Sequence, residues 1–285
     1  MARQTDHTST LLLVIGGAYV LSQLYLTGSR EIGSAPYVAP QTESSTHFRV
    51  ELSPNSSLHH VYANGRSALH LAAEAGLSDL VEVYLQRGAV VDSRDNDGNT
   101  PLILAASAGH GKTISLLLSK GANIGSRKND GRTALLVALA RKQGEAAKVL
   151  VDAGADIKAF DKNGYTALYC AAESGLDEWV KQLLIMRLDP NAERINGWTP
   201  LHAATHRGHP KCARYLLETG ADPNRREGYG HSSADIARGS GNIELRTLFM
   251  EFPTRADTRP TWMNPPAENA PLLPEALPET LRRRR

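Results

Sequence analysis

The chain has 285 residues, of which 41% are apolar and 22% charged, and its formal net charge is +2 at pH 7. This is the composition of an ordinary globular chain with added segments, and the small net charge argues against a nucleic-acid-binding protein. The two cysteines, Cys170 and Cys212, fall in predicted helices, so a disulfide is not expected and a reducing compartment is favoured.

The N-terminal part, after a short segment of residues 1–10, is apolar. Residues 8–29 carry no charged side chain, and an uncharged run of this length can cross a bilayer as a helix. We therefore predict a transmembrane helix or signal anchor over residues 11–28. Two alternatives stay open: a cleaved signal peptide and a buried helix of a soluble protein. Acidic and basic residues are balanced on both sides of the segment, so they do not fix its orientation.

Residues 29–62 are rich in Ser, Thr and Pro and lack periodicity, which predicts a flexible linker. The linker contains the glycosylation sequon Asn55-Ser56-Ser57. Asn55 would be modified only if this part of the chain were lumenal, and so short a pattern is most often unmodified.

From residue 63 onward the sequence repeats itself every 33 residues. The glycines at this spacing are Gly65, Gly98, Gly131, Gly164, Gly197 and Gly230. A Ser or Thr follows each glycine by two positions, and an alanine comes five positions later. These alanines are Ala72, Ala105, Ala138, Ala171, Ala204 and Ala237. So strict a period over six copies indicates a stack of similar structural units.

Local chemistry explains each unit, as the fifth one shows. Gly197 permits the positive φ of the turn that opens the unit. Thr199 caps the first helix, and Pro200 fits the first helical position, where no amide donor is needed. The alanine lets neighbouring helices approach closely. A further glycine, Gly208, ends the first helix, and a second helix then supplies the apolar pair Leu216-Leu217.

The motif Thr199-Pro200-Leu201-His202, followed by Ala204, resembles the signature of the ankyrin repeat. The resemblance implies an all-α ankyrin-repeat solenoid, built from helix-loop-helix units with β-hairpin loops. It covers residues 63–252. The six repeats are expected to start near residues 63, 96, 129, 162, 195 and 228. The family uses the histidine of this motif to brace neighbouring backbone, which implies that role for His70 and His202.

Two repeats depart from the pattern. The third has Lys142 where the glycine after the first helix belongs, and the fourth has Arg187-Leu188 in place of the closing Gly-Ala. A non-glycine residue is expected to be strained at these positions.

Residues 253–285 contain seven prolines and finish in four arginines, residues 282–285. Such a composition predicts a disordered tail. The arginines are most simply part of a solvated tail, with a nuclear import signal, a retention signal or a contact with anionic lipids as alternatives.

Neither an enzyme nor a cofactor or metal site is predicted. Residues 109–113, Gly-His-Gly-Lys-Thr, resemble the end of a phosphate-binding loop, but the pattern needs a preceding strand and here follows a repeat helix. His202, His206 and His209 are spaced like metal ligands but have no acidic or cysteine partner close in sequence. Outside the repeats no segment is long enough for a catalytic domain.

The resemblance implies that a protein partner binds the concave face, which the hairpin tips and first helices form. We predict the contact residues from the variable positions after each hairpin glycine and at the end of each first helix. The candidates are Arg66, Asn99, Arg132, Arg141, Tyr165, Glu173, Trp198, His206 and Arg207. Tyr165 and Trp198 stand out because Trp, Tyr and Arg are common interface anchors. The alternative is that both aromatics only pack against their own hairpins.

The sequence therefore predicts a monomeric interaction scaffold, tethered to a membrane by residues 11–28. The resemblance implies that its repeats face the cytosol, because ankyrin repeats occur mostly in cytosolic proteins. One alternative is a soluble cytoplasmic or nuclear regulator, of the transcription co-regulator type. A second is a secreted effector.

Overall fold

The computed structural model describes residues 9–15, 18–24 and 60–252. The last range folds into twelve α-helices arranged as six helix-turn-helix pairs. The first helices of the pairs are α1 (Ala68–Glu74), α3 (Pro101–Ala108), α5 (Ala134–Ala140), α7 (Ala167–Ser174), α9 (Pro200–His206) and α11 (Ser233–Gly239). The second helices are α2 (Ser78–Gln86), α4 (Gly111–Ser119), α6 (Gly144–Asp152), α8 (Asp177–Ile185), α10 (Pro210–Glu218) and α12 (Ile243–Glu251).

The helices form two layers. Each first helix packs on the first helix of the next repeat, and the second helices pack on one another in the same order except between α6 and α8. There the contact is made through Trp179, whose indole N–H donates to the carbonyl of Gly144 at 3.2 Å. The alanine predicted to allow close approach is fully buried in all six repeats. Between the layers lie large apolar side chains, among them Leu117, Leu150, Leu183 and Leu216, none of which is exposed. The repeats therefore share one continuous core, which no single repeat could form alone.

The turns that open the repeats are joined to one another by backbone hydrogen bonds. Asn129 N–H donates to the carbonyl of Asp97 at 2.9 Å, and Ile195 N–H donates to the carbonyl of Asn163 at 3.0 Å. Equivalent bonds occur at the other three junctions between repeats. The expected β-hairpins are tight turns with isolated bridges, such as the one between Arg127 and Thr133, rather than extended strands. The turns thus form a continuous ladder along one edge of the stack.

The glycines that end the first helices also carry a contact between repeats. Gly175 has φ +72°, and a Cβ atom placed there would lie 2.7 Å from the His209 ring of the next repeat. A Cβ atom placed at Gly76 would likewise lie 2.5 Å from the His110 ring of the next repeat. These positions therefore need glycine both for their backbone conformation and for space.

The predicted strain at the two departures from the repeat pattern is confirmed. Lys142 has φ 62° and Arg187 has φ 63°, so both residues keep the left-handed conformation of the corresponding glycines, such as Gly109 and Gly154. Asn64, in the 3-10 turn Ala63–Gly65, is a third such residue, with φ 62°.

The structure differs from the helix predicted over residues 11–28. Residues Ser9–Ile15 form strand β1 and residues Ala18–Leu24 form strand β2, and the two strands pair in antiparallel register. The physical reason is in the sequence, because two apolar runs separated by Gly16-Gly17 are a strong hairpin signal. Among residues 9–15, 18–24 and 60–252, no helix has the length and apolarity needed to cross a membrane.

Several other predictions concern residues outside the described ranges. They concern the N-terminal segment before residue 9, nearly all of the linker including Asn55, and the tail over residues 253–285.

Replacing Lys142 by glycine should stabilise the protein. A non-glycine residue in the left-handed region costs on the order of 1–2 kcal/mol, which glycine avoids. Part of the stability gained is offset by the greater entropy of glycine in the unfolded chain. We expect the free energy of unfolding of Lys142→Gly to rise by about 1 kcal/mol, as measured by urea denaturation. Lys142→Ala is the control, because it removes the long side chain but keeps a Cβ atom. Equal stabilisation by both variants would show that the gain does not come from relieving backbone strain at residue 142.

Candidate functional site

The residue after the hairpin glycine contacts the following repeat. The contacts are Arg66 Nε with Asp95 Oδ2 (3.5 Å), Arg132 Nε with Asp161 Oδ2 (3.0 Å) and Trp198 Nε1 with Glu227 Oε2 (3.3 Å). In each case the acidic residue lies three positions before the hairpin glycine of the next repeat. Several candidate residues at this position therefore also help to hold neighbouring repeats together.

The acidic partners are themselves fixed by their own turns. Asp161 Oδ1 accepts hydrogen bonds from the backbone N–H groups of Asn163 (2.8 Å) and Tyr165 (2.9 Å). Glu227 accepts in the same way from Tyr229 and His231. Each carboxylate thus organises its turn on one side and receives a side-chain donor from the preceding repeat on the other.

Tyr165 lies between two arginines. Arg132 Cζ is 4.6 Å from the centre of the Tyr165 ring and Arg194 Cζ is 4.3 Å from it. The ring also meets Tyr169 edge to face, with 4.9 Å between ring centres. Cation–π contacts of this kind contribute roughly 0.5–2 kcal/mol each. Tyr165 is therefore the centre of a cluster that spans three consecutive repeats.

Tyr169 supports this cluster from below. It occupies the position of the motif histidine in the fourth repeat and is buried. Its hydroxyl oxygen accepts a hydrogen bond from Arg194 Nη1 at 3.3 Å. Burial raises the pKa of Tyr169 to about 12, so the phenol stays neutral beside the guanidinium group at physiological pH.

Trp198 is the second aromatic centre. Its half-buried indole meets the exposed His206 ring edge to face, with 5.3 Å between ring centres. The indole N–H is held by Glu227. Trp198 therefore has a fixed orientation while part of its ring stays accessible.

These residues surround an open pocket of about 320 Å³ on the fourth to sixth repeats. Arg207 and Glu173 close one side through an ion pair of 3.0 Å. Tyr229, 86% exposed, stands at the tip of the sixth hairpin and forms another side. The pocket offers aromatic surface together with the charges of Arg194, Arg207 and Glu173. We use the name aromatic pocket for this site.

The motif histidines brace the backbone between repeats, as the resemblance implies. His70 Nδ1 accepts from the Ser67 N–H at 3.1 Å, and its Nε2 donates to the carbonyl of Asn99 in the next repeat at 3.1 Å. His202 makes the equivalent bonds to Thr199 N–H and to the carbonyl of His231. Burial lowers the pKa of both histidines, which favours the neutral ring that this pattern needs.

The comparisons with known proteins agree with this geometry. A family model described as Ankyrin repeats (3 copies) matches residues 46–128, 123–194, 160–227 and 177–251. The chain belongs to the ankyrin-repeat family. Among solved structures, the ankyrin repeat domain of human ASB11 is similar, with 25% identity and a TM-score of 0.62, over 69% of this chain and 87% of that one. No curated protein matches the chain significantly.

Three predicted contact residues of this ankyrin-repeat protein lie away from the aromatic pocket. Asn99 is buried and its side-chain amide donates to Asp95 at 2.9 Å, so it is not on the exposed face. Arg66 lies in the first repeat and pairs with Glu74 at 2.6 Å. Arg141 is exposed directly after helix α5. The structure brings Tyr165, Glu173, Trp198, His206 and Arg207 together around the pocket, and Arg132 stacks on Tyr165 without lining it.

The three histidines that are spaced like metal ligands have separate roles. His202 binds backbone, His206 packs on Trp198, and the His209 ring lies against Gly175. Within residues 60–252, no group of three or more His, Cys, Asp or Glu side chains is arranged to hold a metal ion. Cys170 and Cys212 are buried free thiols.

Tyr169, Arg194 and Tyr229 line the pocket but are not among the residues predicted from the sequence. A signal was available for Arg194, since it lies 29 residues after Tyr165, the same spacing that separates Arg132 from Asp161. Tyr169 lies one helical turn after Tyr165 and replaces the motif histidine. Tyr229 breaks the column of Asn and Asp residues at the hairpin tips.

The motif histidines predict a loss of stability in acid. Their pKa is lower in the folded protein than in the unfolded chain, so the unfolded chain binds more protons as the pH falls below about 6.5. The contribution of the neutral rings is thus complete above pH 6.5 and declines as the pH falls toward the lowered pKa. Urea denaturation between pH 7.5 and 5 should show this decline.

The matched variant for this prediction is His70→Leu with His202→Leu, because Leu136 already occupies the same position in the third repeat. The double variant should be less stable at pH 7.5 and show a smaller decline with falling pH. An unchanged pH dependence would assign the decline to other groups.

Proposed function

We propose that the protein is an interaction scaffold that binds a protein partner through the face formed by its hairpin turns and first helices, with the aromatic pocket as the anchoring site. The single observation that carries this proposal is the accessible aromatic surface of Trp198 and Tyr229 around an open pocket on three rigidly packed repeats. Tyr and Trp supply large contact areas at low entropic cost, and they are over-represented among interface anchors.

The contacts of the pocket favour binding without rearrangement. Trp198 is oriented by Glu227, and Arg194 is held by Tyr165 and Tyr169. Side chains that are already fixed lose little conformational freedom when a partner binds. The ion pair between Arg207 and Glu173 is exposed, so a partner carboxylate can compete for Arg207 at a small cost.

The test compares two charge reversals in the full chain. Arg207→Glu changes the aromatic pocket, whereas Arg214→Glu changes a similar exposed arginine on helix α10, which pairs with Glu251 at 3.1 Å. Proximity labelling in cells should show partners that are lost from Arg207→Glu and from Tyr229→Ser but kept by Arg214→Glu. We expect the affinity for such a partner to fall at least about tenfold, as for other interface anchors.

Circular dichroism and thermal unfolding must be unchanged in all three variants, which is expected because the substituted side chains are exposed. Partners that are kept by Arg207→Glu and Tyr229→Ser would place the binding surface elsewhere on the stack.

We also propose that residues 11–28 hold the repeats at a membrane, with the repeats facing the cytosol. The support is the uncharged run of residues 8–29. The paired strands β1 and β2 give no support for a membrane-spanning helix in this segment. A tether would confine the scaffold to the membrane surface and raise the effective concentration of its partner there.

Alkaline carbonate extraction of membranes from cells that express the full chain tests the tether. An anchored chain should stay in the membrane pellet, its repeats should be digested by added protease, and Asn55 should be unmodified. Release of the full-length chain into the supernatant would contradict the tether and favour the soluble regulator. Release of a shortened chain glycosylated at Asn55 would favour the secreted effector.

A further inference from the structure

The aromatic pocket lies near the point where the tail leaves the repeats. Helix α12 ends at Glu251 and belongs to the sixth repeat, the same repeat that contributes Tyr229 to the pocket. The pocket extends from helix α7 across α9 to Tyr229 in the turn before α11, and neighbouring packed helices lie about 8–10 Å apart. Its far side is therefore roughly 20 Å from the sixth repeat.

The tail is long enough to reach the pocket. Eighteen residues separate Phe252 from Pro271. A flexible chain of this length has a root-mean-square end-to-end distance of roughly 23 Å, and a proline-rich chain extends further. Residues near Pro271 can therefore reach the pocket of the same molecule without strain.

The chemistry of the tail matches that of the pocket. Within the tail, residues 264–281 contain five prolines and three glutamates, Glu268, Glu275 and Glu279, but no Lys or Arg. The basic residues of the tail lie outside this segment, at positions 255, 259 and 282–285. Proline-rich segments with a Pro-x-x-Pro spacing, here Pro271 to Pro274, favour an extended conformation that docks in aromatic-lined grooves. The pocket supplies Trp198 and Tyr229 as aromatic walls, and Arg194 and Arg207 as partners for carboxylates.

The charges that face the pocket favour an acidic occupant. Arg207 forms an ion pair with Glu173. Arg194 forms no ion pair within the described residues: it contacts the rings of Tyr165 and Tyr169 and the Tyr169 hydroxyl, and Glu173 acts on it only at longer range. Two arginines and one glutamate leave the pocket with one excess positive charge. An acidic proline-rich segment is complementary to such a site, while a basic segment is not.

We propose that residues 264–281 of the tail dock in the aromatic pocket of the same chain, so that a partner must displace them in order to bind. This inference rests on the proposed binding surface and adds a built-in competitor to it. An intramolecular occupant at high effective concentration would lower the apparent affinity for every partner that uses the pocket.

The experiment places a spin label on the tail and reads the tryptophan indoles by NMR. Ala276→Cys introduces a reactive thiol next to the glutamates, whereas Cys170 and Cys212 are fully buried and should not react with the label. In the ¹⁵N-labelled full chain, the indole N–H signal of Trp198 should be lost when the label is active. It should return when the label is reduced.

Trp179 provides an internal control. Its indole donates to the carbonyl of Gly144 in the second-helix layer, away from the pocket, so its signal should be retained. Excess synthetic peptide of residues 264–281 should restore the Trp198 signal by competition. In Arg207→Glu and Tyr229→Ser the Trp198 signal should also persist, whereas Arg214→Glu should behave like the unmodified chain.

An unaffected Trp198 signal in the labelled chain would overturn the inference, as would a loss that Arg207→Glu and the peptide do not reverse. A loss seen only when spin-labelled and ¹⁵N-labelled chains are mixed would mean docking between copies, which also overturns it. If Trp198 is unaffected by the label but Arg207→Glu still loses its partners in cells, the proposed function stands and only the docking of the tail fails.

Discussion

The close contact between neighbouring repeats is the constraint on which the rest of the structure depends. A fully buried alanine in every first helix lets the backbones approach, and a backbone hydrogen bond links each pair of successive turns. The turns are therefore held at fixed spacing along one edge of the stack. Because each repeat buries its apolar face only against its neighbours, stability is a property of the row of repeats.

The same spacing brings the functional side chains together. The residue after one hairpin glycine meets the residue three positions before the next, as Arg132 meets Asp161. Where that pair is Tyr165 and Arg194, an ion pair is replaced by a cation–π contact. The aromatic pocket is therefore built around the same type of contact between repeats, made here by an aromatic ring and an arginine.

This double use has a consequence for binding. Tyr165 is half-buried between Arg132, Arg194 and Tyr169, so it holds the cluster in place. Trp198 combines a bond to the next repeat with an accessible ring, and Tyr229 is almost fully exposed. The most exposed aromatic surface of the pocket is thus on the fifth and sixth repeats, supported by the fourth. Deleting a supporting residue would weaken both folding and binding, which is why exposed residues are the better probes.

Much of the repeat architecture could be predicted from the sequence because its causes are local or strictly periodic. A glycine at positive φ, a hydroxyl cap and a small residue at the helix contact recur every 33 residues, and each leaves a direct mark in the sequence. The bracing role of His70 and His202 followed from the family resemblance. The strain at Lys142 and Arg187 followed from the missing glycines. The N-terminal helix did not appear, because composition alone does not separate a long apolar helix from two apolar strands flanking Gly16-Gly17.

The sequence by itself determined the repeat unit, the contacts within the core, and which positions vary on the face of the turns and first helices. Only the tertiary structure decided which of those variable residues are exposed and which of them lie together. Asn99 is buried by its bond to Asp95, and Arg66 is paired with Glu74, while Tyr169, Arg194 and Tyr229 join Trp198 around one pocket. The reason is that exposure depends on contacts between side chains about 30 residues apart. Those contacts are set by the distance and rotation between repeats, which no single repeat encodes.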